Sequence, residues 1–331
     1  MTAAELRRTA PEALTIRRRR RGRGFEYLDA RGQRLTDAAT LARIRSLAIP
    51  PAYREVRIAR HPNAHLQAVG RDDAGRLQYR YHPDWEEVRE RRKSAQLADF
   101  CRSLPKIRRR VARDLRGRGL TRERVLAAVV TLIDRTHIRI GCEDYVHSGR
   151  SRGAATLLKR NVSRQGDRVG LCFIGKGGRE IACEIVSPPL ARAVAALMKL
   201  PGRRLFQYRN ADGSLHRVTA GDVNEYLQEI AGVAVSAKNF RTLAASAVAA
   251  EILAGMEPAA TRRARRKQIA RVVAEVSEML GNTPAVARKS YVIPSVIEAF
   301  KSGRLGRLCE GRAVAGLKRG ETSIARLVRA L

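Results

Sequence analysis

Tyr291 closes the segment Gly281-Asn282-Thr283-Pro284 to Ser290-Tyr291, and Arg288 and Lys289 stand just before it. A phenol among cations is a candidate nucleophile toward phosphorus. Its ordinary pKa of about 10 makes it a better leaving group than a sugar alkoxide, so a covalent link through it conserves bond energy and reverses without ATP. Three other segments bring cations that could serve the same phosphate. Arg139 lies in Arg135-Thr-His-Ile-Arg139-Ile-Gly141, Lys176 in Gly175-Lys-Gly-Gly178, and Arg241 in Lys238-Asn-Phe-Arg241-Thr242. Two guanidiniums can hold the non-bridging oxygens bidentately as charge gathers on them. A lysine ammonium can protonate the departing 5′ oxygen, more readily when neighbouring cations depress its pKa. Taken singly, each of these residues is more often an ordinary surface or core residue. Only the set argues for chemistry. Gly170 to Lys176 also fits the opening of a phosphate-binding loop, but Gly177 stands where Ser or Thr should hold magnesium, and a strand is expected to follow, not a helix.

Positioning these groups requires helices. Ile269, Val272, Val273, Val276, Met279 and Leu280 repeat on one helical face. Gly281 stands where a helix stops, and Thr283-Pro284 reads as the cap and first position of a new one. Asn282 therefore falls in a tight corner, with Tyr291 about two turns on. Thr121 can cap a helix carrying Val125, Leu126, Val129, Leu132 and Ile133 on one face, with Arg139 at its end. Residues 166–185 read as a β-hairpin with a glycine-rich turn that carries Lys176. Further helices are expected over 189–200, 220–230 and 239–253. Residues 25–83 alternate like strands, with a short helix capped by Thr36. Residues 86–93 read as a helical hinge region. The expected fold class is α+β, with residues 1–24 as a disordered basic arm, 25–90 as a small β-rich domain, and 91–331 as a mainly α-helical domain ending in a basic tail.

The chain has 331 residues, 66 basic against 32 acidic, for a net charge of +34. Such a charge repels itself unless a polyanion offsets it, and nucleic acid is the default partner. No run of 18 apolar residues suggests a membrane helix. Five cysteines without CxxC spacing imply neither a disulfide framework nor a zinc site, and a reducing cytoplasm is expected. His61 and His65 are separated by Pro62 and have no nearby ligand, so no metal and no cofactor is expected.

Read together, the C-terminal stretches resemble the type IB DNA topoisomerases, in their bacterial and poxvirus-like branch. The matching runs are Leu132-Ile-Asp-Arg-Thr136 with Arg139-Ile-Gly141, Gly153-Ala-Ala-Thr-Leu157, Phe173-Ile-Gly-Lys-Gly-Gly178, Lys238-Asn-Phe-Arg-Thr242, and Gly281-Asn-Thr-Pro-Ala-Val286 to Ser290-Tyr-Val-Ile-Pro294. The resemblance implies that Tyr291 forms a 3′-phosphotyrosyl bond, Arg139 and Arg241 stabilise the transition state, and Lys176 is the general acid. Asn282 stands where many relatives carry histidine and would hydrogen-bond a non-bridging oxygen. Lys238 would be a supporting cation near the DNA. It further implies a β-rich N-terminal domain in which Gln78, Tyr79 and Tyr81 contact duplex DNA, and a monomer, nucleoid-associated, that relaxes supercoils without ATP or metal. The alternative is a tyrosine site-specific recombinase, which usually shows HxxR where this chain has Lys238 three before Arg241.

Overall fold

In the computed structural model, which describes residues 6–143, 151–210 and 212–329, the arginine run expected in a disordered arm is an inner strand. Strand β1 (Ile16–Arg21) pairs antiparallel with β2 (Gly24–Leu28) and β3 (Arg54–Ile58). Five adjacent arginines are tolerable there because a strand sends successive side chains to opposite faces, where different partners take them up. Arg18 lies 4.1 Å from the centre of the Phe25 ring and donates to the carbonyls of Pro50 and Tyr53. Arg19 pairs with Glu26 at 2.6 Å. Strands β4 (Leu66–Arg71) and β5 (Leu77–Tyr81) complete an antiparallel sheet of order β2-β1-β3-β4-β5. Helix α1 (Ala38–Ser46) buries Ile44 with Ile16, Val56, Ile58 and Ala68. Its cap is Asp37, not Thr36: the Asp37 carboxylate accepts from Thr40 N at 2.7 Å.

The chain separates into two compact units, Met1–Arg92 and Lys93–Leu331. The division falls inside one continuous helix, α2 (Trp85–Leu115), so the stretch expected as a hinge region is regular helix. In the second unit, α3 (Arg122–Thr136) is capped by Thr121 and buries every residue from Val125 to Val130 together with Leu132 and Ile133. An all-round apolar surface of this kind belongs at the centre of a helical unit. Around it lie α4 (Pro188–Met198), α5 (Ala220–Ala231), α6 (Ala237–Ala254) and α7 (Arg262–Met279). The chain continues into α8 (Pro284–Ser290), α9 (Pro294–Lys301), α10 (Leu305–Cys309) and α11 (Arg319–Arg329). The hairpin is β7 (Arg168–Ile174) and β8 (Glu180–Val186), with β6 (Val162–Gln165) along its other edge. A two-stranded ribbon, β9 (Gln207–Arg209) and β10 (Leu215–Arg217), was not expected from the sequence. Small antiparallel sheets followed by a helical unit with its own hairpin make the α+β architecture that the sequence pattern implied.

An ion network ties the last helix to the first two of the second unit. Arg108 on α2 donates to both oxygens of Asp134 on α3, at 2.8 and 3.0 Å, and to both oxygens of Glu321 on α11, at 2.8 Å each. Glu321 is buried and also accepts from Lys318 N. Truncating one partner of such a network leaves the other charges uncompensated. Glu321→Ala is expected to lower unfolding free energy by roughly 3 kcal/mol, the lower end for breaking a buried pair. A urea titration checks this through the midpoint.

Candidate active site

The corner between α7 and α8 forms as the sequence implied. Helix α7 buries Ile269, Val272, Val273 and Val276 and leaves Met279 half-exposed. Gly281 takes φ +61°, a conformation that favours glycine, and Asn282 N donates back to Ser277 O at 2.8 Å. Thr283 caps α8 and Pro284 occupies its first position. Seven helical residues then deliver Tyr291, which is 4% exposed, at the helix's C-terminal boundary.

Arg139 arrives by a different route. Helix α3 stops at Thr136 because His137 takes the left-handed conformation, φ 55°. The next residues run against Gly153-Ala154-Ala155, with Ala154 N donating to Arg139 O and Ala155 N to Ile140 O, both at 2.8 Å. The approach is so close that a Cβ on Gly153 would lie 2.4 Å from Gly141 N and 2.5 Å from Arg139 O. Glycine is therefore required at 153 for Arg139 to sit where it does. From there Arg139 Nη1 donates to Tyr291 Oη at 2.8 Å, and Nη2 donates to Asn282 Oδ1.

Arg241 stands in the first turns of α6, 4% exposed. Its Nη1 donates to His137 O and its Nη2 to Leu280 O at 3.0 Å. Those are carbonyls at the ends of α3 and α7, which the helices themselves leave unpaired. This places the guanidinium carbon 4.9 Å from the centre of the Tyr291 ring, with that of Arg139 at 5.8 Å. Burial pushes the Tyr291 phenol up. The Arg241 and Arg139 guanidiniums, with a smaller share from Lys238, outweigh burial and hold it below its ordinary value.

One cleft of 560 Å³ is lined by Arg139, Lys176, Lys238, Arg241, Asn282 and Tyr291. Lys176 and Lys238 are exposed, whereas Arg241, Asn282 and Tyr291 are buried. Two buried donors in residues of this cleft, Arg241 Nε and Asn282 Nδ2, have no hydrogen-bond partner among the described residues. Each such orphan costs about 1–3 kcal/mol unless something accepts from it.

The three residues expected to touch DNA from the first unit are not on one face. Tyr79 and Tyr81 are exposed side by side, their rings 6.2 Å apart and 16° from parallel. Gln78 points to the other face of β5, half-buried, and its amide donates to Asp72 Oδ2 at 2.9 Å. Strand alternation separates a residue from its neighbour by a full face.

Sequence reasoning missed Ser246, fully buried one and a half turns after Arg241 on α6. Its hydroxyl donates to Tyr291 O at 3.1 Å and accepts from Ile293 N at 3.2 Å, splinting the irregular link between α8 and α9. The available signal was a serine flanked by alanines on α6, since a polar group buried on all sides needs a partner.

Comparison with known proteins gives the class first. Residues 82–303 match the family described as eukaryotic DNA topoisomerase I, catalytic core, and residues 24–72 match bacterial DNA topoisomerase IB, N-terminal domain. The DNA topoisomerase 1B of Acanthamoeba polyphaga mimivirus is 32% identical over 294 residues, covering 87% of this chain and 88% of that protein. The chain belongs to the type IB DNA topoisomerase family, isomerases whose substrate is DNA.

Ser246→Ala removes the two hydrogen bonds that its hydroxyl makes to Tyr291 O and Ile293 N. Plasmid relaxation is expected to slow between about tenfold and a hundredfold, the scale for misplacing a reacting group by an ångström. DNA binding should stay unchanged, as a gel-shift titration of the same variant would show.

Proposed function

We propose that the chain relaxes supercoiled DNA by transient single-strand cleavage through a 3′-phosphotyrosyl intermediate at Tyr291. The observation that carries this reading is the convergence, on one cleft, of a buried phenol, two guanidiniums and two unpaired buried donors. Such a site is unsatisfied when empty and satisfied by an anion with several acceptor oxygens, as a phosphodiester has.

In this mechanism the Tyr291 phenol loses its proton to solvent, helped by the guanidiniums that favour the phenolate. The oxygen attacks phosphorus, the O–P bond forms, and the bond from phosphorus to the 5′ oxygen breaks. Lys176 gives a proton to that oxygen, so it departs as a hydroxyl and not as a strongly basic alkoxide. Arg139 must release Tyr291 Oη as the phenolate engages phosphorus, and its fork then turns to a non-bridging oxygen. Arg241 Nε and Asn282 Nδ2 supply the remaining donors, with Lys238 as a supporting cation at the exposed edge. The broken strand rotates about its partner. Attack by the 5′ hydroxyl then reverses the step and frees the tyrosine. No step is assigned to ATP or to a metal ion, since four cations already face the phosphate, and relaxation should proceed in excess EDTA. The exposed Tyr79 and Tyr81 are the contacts assigned to the duplex from the first unit, which acts as part of a monomer.

Tyr291→Phe is expected to abolish both relaxation and the detergent-trapped covalent complex while leaving DNA binding within about twofold, since only the nucleophilic oxygen is removed. A variant that still relaxes plasmid would sink the assignment. Arg241→Ala and Arg139→Ala should each slow cleavage by roughly 10²–10³, as for loss of one preorganised donor.

The acid limb of the pH–rate profile gives an independent check. Cleavage rises with pH until the phenol is ionised, so the break lies below the ordinary tyrosine value in the wild type. Arg241 contributes most to lowering it, so Arg241→Ala should move the break to higher pH. Single-turnover cleavage measured across pH reads that shift separately from the drop in rate.

A further inference from the structure

Arginines 262, 265 and 266 play no part in the mechanism above, yet they line a second concave site. It is a trough of 740 Å³ between α7, α8 and the end of α9. It shares no residue with the catalytic cleft: Thr283, Val286 and Ser290 of α8 face that cleft, whereas Pro284, Ala285 and Arg288 face the trough. The nucleophile-bearing helix thus has a built concavity on each side.

The trough is polarised. At one end, Arg262, Arg265 and Arg266 come from the first turns of α7, and Arg265 reaches Lys301 O at 3.5 Å, which brings Lys301 to the same end. Beyond them along α7 the lining turns apolar, with Ile269, Ala270 and Val273 opposite Pro284 and Ala285. Arg288, one turn further along α8, also lines the trough. None of these five cations has a carboxylate partner among the described residues, and no acidic side chain lines the site. Concentrated unpaired charge at one end of an apolar floor selects a ligand with the complementary polarity.

The size and walls narrow the class. The volume lies within the usual 300–1,000 Å³ of small-ligand sites. An extended peptide draws its main-chain hydrogen bonds from a sheet edge, and the trough is lined by residues of helices alone. A planar base has no such need and lies flat on aliphatic side chains, and a polyphosphate chain meets arginine forks bidentately. We propose that this trough binds a nucleoside polyphosphate, base on the Ile269–Val273 floor and phosphates among Arg262, Arg265, Arg266 and Lys301. The inference does not rest on the catalytic reading, and Tyr291→Phe should leave it unaffected.

The experiment is calorimetric titration of the full chain, without DNA, at about 0.15 M salt, where exposed charges more than about 8 Å apart are screened. The probes are ATP, inorganic tripolyphosphate and adenosine. Expected is one saturable ATP site per chain, with adenosine and tripolyphosphate each weaker. Arg265→Glu should weaken ATP at least about tenfold, a loss of about 1.4 kcal/mol. Arg263→Glu, the same charge change on α7 outside the trough, should change it less than about twofold, as for a screened surface charge. Ala270→Trp, which fills the apolar end at constant charge, should weaken ATP while leaving tripolyphosphate unchanged. Ala285→Trp from the opposite wall repeats that test should the first variant fold poorly. Equal losses in Arg263→Glu and Arg265→Glu would mean general charge attraction and overturn the proposal. So would ATP affinity indifferent to both tryptophans, or no saturable site. Displacement of ATP by a short duplex whose own affinity falls equally in Arg265→Glu would assign the trough to DNA instead.

Discussion

The site depends on backbone carbonyls at helix ends accepting from a buried arginine. Arg241 is almost entirely removed from water, and a guanidinium in that position is untenable without acceptors. His137 O and Leu280 O provide them, one just past α3 and the other at the end of α7. Carbonyls at helix C-termini are unpaired by construction and carry partial negative charge, so one guanidinium resolves two helix endings. Arg241 is also an element of the packing: it fixes how the ends of α3 and α7 stand relative to α6. A lysine could not replace it, because a single ammonium cannot span two carbonyls in a planar fork and still present a further donor.

The same economy governs the second arginine. Arg139 bridges the phenol and the Asn282 carbonyl oxygen, which settles the orientation of that amide and turns its Nδ2 away as a donor. With an ionised histidine at this position a third positive charge would have to be carried beside two guanidiniums. Asparagine offers a donor without adding to that repulsion, at the loss of the stronger hydrogen bond an ionised donor makes. The phenol gains on both counts, since cations on two sides oppose the rise that burial imposes on it.

What could be read from the sequence divides along local and non-local lines. The Tyr291 corner was legible because each signal lies within a few residues: apolar spacing on α7, glycine at the stop, Thr283-Pro284 at the restart. The hairpin bearing Lys176 and the burial of α3 were legible for the same reason. Arg139 and Arg241 could be picked out as cations for a phosphate but their partners could not, since nothing near them in sequence announces a carbonyl 104 residues away. Ser246 was invisible on both grounds, being joined to Tyr291 across 45 residues. The arginine strand misled because five like charges read as a solvated arm, whereas Phe25, Glu26 and carbonyls around Pro50 absorb them in the fold. Thr36 lost the cap of α1 to its neighbour Asp37, a choice between adjacent capping residues that composition cannot make.

Burial sorts the groups to which the proposed mechanism gives roles. Arg241, Asn282 and Tyr291 are buried and tied by hydrogen bonds to elements of the helical unit, so their relative positions are set before any substrate arrives. Lys176 is placed differently. It stands exposed at the hairpin tip between Gly175, where a Cβ would press on Ile181 at 2.6 Å, and Gly177 and Gly178, which take φ of 82° and 75°. The turn is closed by Gly175 N donating to Arg179 O and Gly178 N donating to Gly175 O, and at its base Ile174 O accepts from Arg152 N. Stabilising charge on non-bridging oxygens rewards donors that need no reorganisation, so those donors belong in the packed interior. In the proposed mechanism proton delivery asks for the opposite, because the ammonium would have to meet one oxygen as its bond breaks and then take the proton back when the strand is resealed. A long side chain on a glycine turn at the mouth of the cleft can do this without disturbing the buried groups, whose geometry must serve both directions of the reaction.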